Sequence, residues 1–490
     1  MLISSLIFIY GFLPFCLLAA WMLPSPRQQN RLLLLASLLF YAWGSPADLI
    51  LLLCLSSFVW AISLLMDLPS SSERRRHLLC ICAVVGLLIV LGLFKYSSFI
   101  LRQLGLAFGF SPPQLRWFLP PGLSFYSFRL LSYILDLYKK RIRPQYRWSA
   151  FILYTAFFPQ VTAGPIMRYE QFNRQLQHRD MSQAKLIAGI SRFLVGLSKK
   201  VLLADRLSPI VNQIMGAASF NNLSRGEALW GLIGFTLQIY LDFSGYSDMA
   251  IGLGRMFGFS TPENFNYPYV ARSVTDFWRR WHISLSSFFR DYVYIPLGGN
   301  RRHQLLNLLL VWSLTGLWHG ADWNFILWGL YYFLFLILEK KLWKEQIEAA
   351  PRWVSSLYTV SIATGGWLLF YFSDFRLAGQ FIYHLFSFSV PLINDPGLTT
   401  ILNNLVLYVA SALVCLPLLP RLEVWLHKKG VYLPRLALPS ITTGPRQLSV
   451  QLGGSRAWPL LLTGWHLLLL FLCTAALAGS SYQPFLYFKF

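Results

Sequence analysis

The sequence predicts an all-α polytopic membrane protein. Hydrophobic residues occupy 56% of its 490 positions and charged residues only 13%, about half the charged share of an average soluble domain. The mean hydropathy is +0.50, and apolar runs long enough to cross or enter a bilayer recur along the chain. This composition excludes intrinsic disorder, which requires low hydrophobicity.

The charge balance is strongly basic, with 42 Lys and Arg against 20 Asp and Glu. In a soluble protein such an excess would suggest nucleic-acid binding. Here the basic residues stand between or beside apolar runs, as the positive-inside rule describes for cytoplasmic loops, so no nucleic-acid partner is predicted. The groups that follow this pattern are Arg27 and Arg31, residues 74–76, residues 139–143, Lys199 and Lys200, Lys340 and Lys341, and Lys428 and Lys429.

The apolar runs predict roughly eleven to fourteen transmembrane or re-entrant helices, because a span needs about 20 residues. The run 186–203 contains Arg192, Lys199 and Lys200 and is predicted to lie at the membrane interface. The run 305–342 is too long for one span and is expected to break at residues 320–322. The runs are 2–23, 32–43, 47–66, 78–94, 99–110, 118–138, 151–166, 186–203, 229–257, 305–342, 354–372, 398–419 and 460–477.

A single membrane domain, residues 1–490, is the predicted organisation. Residues 1–120 form its N-terminal helices, residues 121–343 a core with re-entrant segments, and residues 344–490 its C-terminal helices. A polar loop at about 430–458 is the longest polar stretch inside the chain and is too short for a folded catalytic domain.

Polar residues enter the apolar sequence mainly between residues 238 and 324. Asp242 and Asp248 lie in one apolar run, and residues 276–299 carry five formal charges. At about 2.5–3.5 kcal/mol per charge near the bilayer centre, a lipid-facing helix here would cost roughly 15 kcal/mol. The segment is therefore predicted to be a re-entrant or interfacial helix that faces a hydrated, protein-lined cavity.

Helical spacing adds detail to this segment. Ser273 and Asp276 have the spacing of a capping box, and Arg279 and His282 would be i,i+3 neighbours. The helix would carry one apolar face, made of Phe277, Trp281, Phe288 and Tyr292. A plain interfacial helix with an aromatic belt explains this pattern equally well.

Two histidines in apolar surroundings are the candidate reactive groups. His319 lies in a hydrophobic run beside Gly316 and Gly320, and these glycines would let a substrate approach the backbone closely. A neutral imidazole there can accept a hydroxyl proton. A hydrogen-bonded core histidine is the simpler alternative for one such residue, but His282 supplies a second. No HExxH or GxSxG motif occurs, so neither a metal site nor covalent serine catalysis is predicted.

Five segments resemble the membrane-bound O-acyltransferase superfamily, and most closely its bacterial branch with the alginate O-acetyltransferase and the D-alanyl transfer protein of teichoic acid synthesis. The family's membrane-embedded histidine maps onto His319, and its second motif histidine maps onto His282. The segments are residues 276–299 (DFWRRWHISLSSFFRDYVYIPLGG), 317–320 (LWHG), 238–248 (QIYLDFSGYSD), 121–128 (PGLSFYSF) and 158–168 (FPQVTAGPIMR).

The resemblance implies tilted helices around a central funnel whose floor holds His319. It implies a multi-pass protein of the bacterial cytoplasmic (inner) membrane that moves an acetyl group from a cytoplasmic thioester, with acetyl-CoA the first choice, toward an exported polysaccharide. No bound cofactor is expected. The expected partners are a separate periplasmic esterase-like (SGNH-type) acyltransferase, a polysaccharide export and synthesis complex, and membrane lipid.

In this interpretation His319 is the general base, and His282 positions the donor or stabilises the oxyanion. Arg279, Arg280 and Arg290 either contact donor phosphates or form ion pairs with Asp276 and Asp291. For the tryptophans, ordinary packing is the simpler alternative to lining an acyl tunnel. The candidate substrate-binding residues are Asp276, Trp278, Arg279, Arg280, Trp281, Arg290, Trp318 and Asn324.

Other functions remain open from the sequence. The acyl group could be D-alanyl or another acyl group carried to a cell-envelope polymer. A transporter is a rival from another class, because buried charges often mark permeation routes. A non-catalytic scaffold for polysaccharide export is the third alternative.

Overall fold

The computed structural model describes residues 1–113, 118–428, 457–479 and 485–486. These residues form helices and loops, and no β-strand occurs among them, which confirms the all-α prediction. They divide into two compact units whose segments alternate along the chain. The first unit comprises residues 1–190, 250–262 and 287–296, and the second comprises residues 191–249, 263–286 and 297–490. The predicted loop at 430–458 falls almost entirely outside the described residues.

The α-helices are numbered in chain order. They are α1 Leu13–Met22, α2 Pro26–Ala42, α3 Pro46–Asp67, α4 Glu73–Phe108, α5 Leu123–Tyr138, α6 Trp148–Ala156, α7 Tyr169–Gln177, α8 Gln183–Ser198, α9 Asp205–Met215, α10 Arg225–Met256, α11 Val274–Arg280, α12 Ile283–Phe289, α13 Gln304–His319, α14 Trp323–Leu338, α15 Lys344–Ala349, α16 Arg352–Tyr371, α17 Phe375–Phe386, α18 Asp395–Val414, α19 Leu418–Lys428 and α20 Ala457–Ala478. Short π-helical turns occur at Phe8–Phe12, Lys199–Ala204, Arg290–Tyr294 and Glu339–Trp343, and a 3₁₀ turn at Pro268–Val270.

Four described helices are long and apolar enough to cross a membrane on their own. They are Pro46–Asp67, Glu73–Phe108, Asp395–Val414 and Leu460–Ala478. Of the other predicted runs, 229–257 and 354–372 form α10 of 32 residues and α16 of 20 residues. The run 305–342 forms two shorter helices, α13 and α14, of 16 residues each. Such helices do not reach the length of a full span, and short helices at membrane depth are tolerated where protein surrounds them. The count of eleven to fourteen therefore mixes full spans with shorter segments.

The two predicted runs 78–94 and 99–110 are one helix, so their separation was wrong. α4 continues through Lys95 and Tyr96 for 36 residues, because no Pro or Gly interrupts residues 93–104. At 1.5 Å per residue it is about 54 Å long, well beyond the roughly 30 Å hydrocarbon core. It ends at Gly109, whose φ of 71° provides a left-handed cap.

The predicted run 151–166 is helical only in its first part, since α6 ends at Ala156. Pro159 and Gly164 oppose continuation of the helix, and residues 157–167 form a buried loop instead. Its backbone needs internal hydrogen-bond partners. Arg129, only 2% exposed, donates to the carbonyl of Gln160 at 2.9 Å and to its Oε1 at 3.0 Å.

Two of the segments that carry the resemblance meet in the first unit. Gly122 has a φ of 78°, and a Cβ there would lie 2.0 Å from the carbonyl oxygen of Val161. Only glycine permits this approach. The PGLSFYSF and FPQVTAGPIMR segments are therefore packed against each other.

The segment 276–299 is not one helix, contrary to the prediction. α11 ends at Arg280, and α12 begins at Ile283. His282 lies between them with a φ of 43°, which a right-handed helix cannot contain. Phe277 and Trp281 therefore do not share a helical face with Phe288 and Tyr292, and Arg279 and His282 are not i,i+3 neighbours. The capping box predicted for Ser273 and Asp276 is confirmed in part, since Ser273 Oγ accepts from the amide of Asp276 at 3.0 Å at the start of α11.

The predicted break at residues 320–322 is confirmed by a hairpin of α13 and α14. Asp322 caps α14 by accepting from the amide of Trp323 at 2.8 Å. Glycines let the two backbones touch, because a Cβ at Gly316 would lie 2.2 Å from the carbonyl oxygen of Phe325, and one at Gly329 would lie 2.3 Å from that of Trp312. Small residues at helix contacts allow such close approach inside membranes.

We predict that Gly329→Ala destabilises the protein by about 1–3 kcal/mol, the usual cost of overpacking, because the new methyl group meets backbone atoms that cannot rotate away. Gly92→Ala is the matched control, since nothing lies within 4 Å of its Cβ position in α4. Thermal unfolding of the detergent-solubilised variants measures both. Equal melting temperatures for the two variants would contradict the described hairpin.

Candidate functional site

Buried ion pairs hold α10 within the second unit. Asp248 accepts from Arg192 Nε at 2.7 Å and from Lys199 Nζ at 2.7 Å, and Arg192 also pairs with Glu263 at 2.6 Å. Arg192 is 1% exposed and Asp248 4% exposed. Removing one member of such a buried pair typically costs about 3–5 kcal/mol, so these charges fix the position of α10.

A second buried carboxylate, Asp242, lies six residues earlier on α10. Lys200 Nζ contacts Asp242 at 3.0 Å and also pairs with Asp205, and the backbone amide of Leu486 donates to Asp242 at 2.7 Å. Counting Lys199 and Lys200 among loop residues was therefore wrong, because both are buried in a helical segment. Their charges are tolerated because carboxylates neutralise them inside the protein.

His282 is oriented by Asn264. The histidine is 1% exposed, and its Nδ1 lies 3.2 Å from Asn264 Oδ1. The same oxygen accepts from the backbone amide of Ser284 at 3.3 Å and from its hydroxyl at 2.9 Å. A backbone N–H can only donate, so Oδ1 is an acceptor and Nδ1 of His282 carries the proton. The neutral ring therefore has Nε2 as its basic nitrogen.

Residues of α10 contact both Asn264 and His282. Asn264 Nδ2 donates to the hydroxyl of Ser247 at 3.1 Å, next to the ion-paired Asp248. The ring of Phe243, one turn earlier, packs edge-on against the His282 ring with centroids 4.8 Å apart. The ion pairs that hold α10 thus also set the position of His282.

His319 is the last residue of α13 and lies in an aromatic pocket. It is 4% exposed, and its ring contacts Trp318 and Trp328 at centroid distances of 4.8 Å and Phe370 at 5.2 Å. The His282 ring also contacts Trp318, at 5.6 Å. Both predicted histidines therefore contact the same indole ring.

The glycines beside His319 allow close contact between α13 and α14. A Cβ at Gly320 would lie 2.1 Å from the Phe325 ring, and Gly316 faces the backbone of the same residue. Phe325 thus occupies the space that a side chain at Gly320 would fill. The glycines serve the hairpin, because His319 needs a close turn between α13 and α14.

The structure places three of the other candidate residues close to this pocket. Asn324 Nδ2 donates to the carbonyl of Phe370 at 3.3 Å. Trp278 packs edge-on against Trp328, with centroids 5.5 Å apart. Trp281 is fully buried and contacts Trp367 at 4.7 Å. These contacts fit the packing interpretation of the tryptophans.

Two of the charged candidate residues form ion pairs, as one of the two predicted alternatives has it. Arg280 Nε bonds Asp276 Oδ1 at 2.9 Å, and Arg290 Nε bonds Asp291 Oδ1 at 2.7 Å. Arg279 is exposed. Arg290 belongs to the first unit, whereas both histidines belong to the second.

Sequence reasoning missed Asn264, Phe243 and Phe370. Asn264 stands in a short polar loop, Glu263–Asn266, and nothing in its spacing shows which side chain it orients. Only the fold brings residue 264 to residue 282, through backbone hydrogen bonds from Ile283 to Asn264 and from Asn266 to Arg280 at 2.9 Å each.

Comparison with known proteins identifies the family. The model of the MBOAT, membrane-bound O-acyltransferase, family matches residues 81–373, a range that contains His282, His319 and Asn264. The chain belongs to the membrane-bound O-acyltransferase family. It is therefore a multi-pass membrane enzyme that transfers acyl groups to oxygen.

Named relatives of this membrane-bound O-acyltransferase differ in how much of the chain they match. A protein named probable alginate O-acetylase from Pseudomonas aeruginosa is 36% identical over the full length of both chains. A peptidoglycan O-acetyltransferase from Helicobacter pylori is 34% identical over 67% of this chain and 68% of its own. A teichoic acid D-alanyltransferase from Bacillus subtilis is 27% identical over 49% of this chain and 64% of its own.

We predict that Asn264→Leu lowers the acyl-transfer rate at saturating donor by about 10-fold or more, because small misplacement of a reactive group is costly, with a smaller change in KM. Asn264→Asp keeps an acceptor oxygen for His282 and should restore much of the rate. Asn403→Leu, at an exposed position of α18, is the control. If Asn264→Asp were as slow as Asn264→Leu, orientation of His282 by this oxygen would be contradicted.

Proposed function

We propose that this membrane-bound O-acyltransferase transfers an acetyl group from a cytoplasmic thioester, acetyl-CoA, toward an exported polysaccharide. The observation that carries the proposal is the pair of buried histidines on Trp318, within a chain that matches an alginate O-acetylase over its full length. We place the enzyme in the cytoplasmic membrane of a bacterium. Its donor and acceptor then lie on opposite sides of that membrane.

His319 acts as the general base. Its imidazole takes the proton from an acceptor hydroxyl as the oxygen attacks the thioester carbonyl. A carbon–oxygen bond forms, the carbon–sulfur bond breaks, and the proton passes from the imidazolium to the leaving thiolate. General-base assistance of this kind contributes about 10²–10⁴-fold, and the apolar pocket of Trp328 and Phe370 keeps water from competing.

His282 positions the donor. With its Nδ1 proton directed at Asn264, the neutral ring presents Nε2 as a hydrogen-bond acceptor. An acceptor cannot stabilise a developing oxyanion, which requires a donor. It can accept from an amide N–H, a group that the pantetheine arm of coenzyme A carries. The tautomer thus favours donor positioning over oxyanion stabilisation.

A separate periplasmic partner completes the transfer in this proposal. The chain has no GxSxG nucleophile, and an esterase-like (SGNH-type) serine enzyme supplies the chemistry that carries an acyl group onto a polymer. The partner, within a polysaccharide export and synthesis complex, reads the acceptor. D-alanyl transfer is the second candidate, favoured by the partial match to the Bacillus D-alanyltransferase. Membership in an acyltransferase family weighs against a transporter or scaffold.

We predict that His319→Ala abolishes O-acetylation of the exported polymer, with a loss of about 10²-fold or more, while polymer export continues. His77→Ala is the matched control, because His77 is exposed near the start of α4. Polymer acetyl content is measured in cells with equal membrane levels of each variant. Normal acetylation with His319→Ala would reject the general-base role, and lost export would favour a scaffold.

We predict that membranes containing the enzyme consume acetyl-CoA labelled in its acetyl group and pass the label to the periplasmic partner or the polymer. His319→Ala membranes should pass none. Transfer from a D-alanyl carrier instead, with acetyl-CoA untouched, would replace the proposed donor with the second candidate. The measurement is label recovered in the protein and polymer fractions after removal of free donor.

A further inference from the structure

A basic cavity of about 740 Å³ lies within the second unit, outside the aromatic pocket of His319. Four arginines line it, Arg272, Arg280, Arg352 and Arg421, against a single carboxylate, Asp276. Its volume is in the range of sites for small organic ligands. Such a concentration of positive charge in a concavity attracts anions.

Two of these arginines are fixed by the protein. Arg280 bonds Asp276 at 2.9 Å and the carbonyl of Asn266 at 3.3 Å. Arg272 donates to the carbonyl of Ala350 at 3.4 Å. Since carbonyls are neutral, Asp276 is the only negative charge among the described lining residues, and it is already paired.

The other two arginines are available to an anion. Among the described residues, no carboxylate lies within ion-pair distance of Arg352 or Arg421, and both are exposed. Arg352 begins α16 and Arg421 lies on α19, so the two approach the cavity from different elements. A guanidinium fork suits the oxygens of phosphate.

The remaining lining is apolar and aromatic. Trp353 is 71% exposed beside Arg352, and Pro417 and Leu416 lie on the same cavity. A free inorganic anion would leave this wall unused. The combination fits a phosphate group attached to an organic body, because exposed indole rings pack well against flat or apolar groups.

The cavity wall is continuous with the segment that holds His282. Asn266 and Arg280 line the cavity and are joined by a backbone hydrogen bond of 2.9 Å. Asn264, two residues before Asn266, bonds His282, two residues after Arg280. An anion held by the arginines would therefore lie beside the backbone that positions the candidate site.

We propose that this cavity is a binding site for an organic phosphate. Two sources of that chemistry exist: the phosphates of a thioester donor such as coenzyme A, and the headgroup of an anionic phospholipid. The first source rests on the proposed function, whereas phosphate binding itself does not.

The test uses the full-length protein purified in detergent and reads binding without acyl transfer. The probes are coenzyme A without an acyl group, and phosphatidylglycerol offered against phosphatidylcholine in nanodiscs. The double variant Arg352→Gln/Arg421→Gln is compared with Arg376→Gln, a change at an exposed arginine outside the cavity. We expect the double variant to weaken one probe by about 10-fold or more, as loss of charge-assisted hydrogen bonds implies.

Each outcome decides the proposal. Weaker coenzyme A binding supports the site and assigns it to the donor, whereas a loss confined to phosphatidylglycerol supports the site and assigns it to lipid. Unchanged binding of both probes, relative to Arg376→Gln, overturns it. Pyrophosphate should compete for the site in the unmodified protein. Arginine-dependent binding together with normal acetylation in His319→Ala cells would retain the site and reject the proposed catalysis.

Discussion

The packing of the second unit depends on buried Arg and Lys side chains that are each paired with a carboxylate. Arg192 and Lys199 are shielded from solvent only because Asp248 lies between them, and Lys200 is balanced by Asp205 and Asp242. A low-dielectric interior makes each unpaired charge costly, so α10 has one favourable position against the chain around residues 192–205. Everything that α10 carries, including Ser247 and Phe243, takes its place from that constraint.

The ion pairs that fix α10 also fix the hydrogen bonds and ring contacts that position His282. Ser247 holds Asn264, and Asn264 holds the His282 ring in one tautomer. The close hairpin of α13 and α14 brings His319 into contact with Trp318, which His282 also contacts. Contacts from supporting residues keep a reactive side chain in a fixed orientation. The two histidines thus rely on different physical interactions, polar for one and steric for the other.

Local sequence signals predicted local features well. Apolar content predicted the helical class, Gly320 and Asp322 predicted the break after His319, and Ser273 predicted the start of α11. Long-range pairing had no such signal, so the partners of Arg192 and the role of Asn264 were missed. The break at His282 was also missed, because residues 276–292 are compatible with a helix by propensity. Only tertiary contacts, such as the bond to Asn264, favour the non-helical backbone at that point.

The left-handed backbone of His282, with a φ of 43°, changes what a substitution there reports. A residue with a Cβ pays roughly 1–2 kcal/mol for this conformation, and the bond to Asn264 offsets part of it. Alanine keeps the strain and loses the bond, so it tests folding and chemistry together. Glycine removes the imidazole without the strain, and asparagine tolerates this region of backbone space. The contribution of the imidazole ring to activity is the activity of the unmodified protein minus that of the His282→Gly or His282→Asn variant, because all three allow the same left-handed backbone.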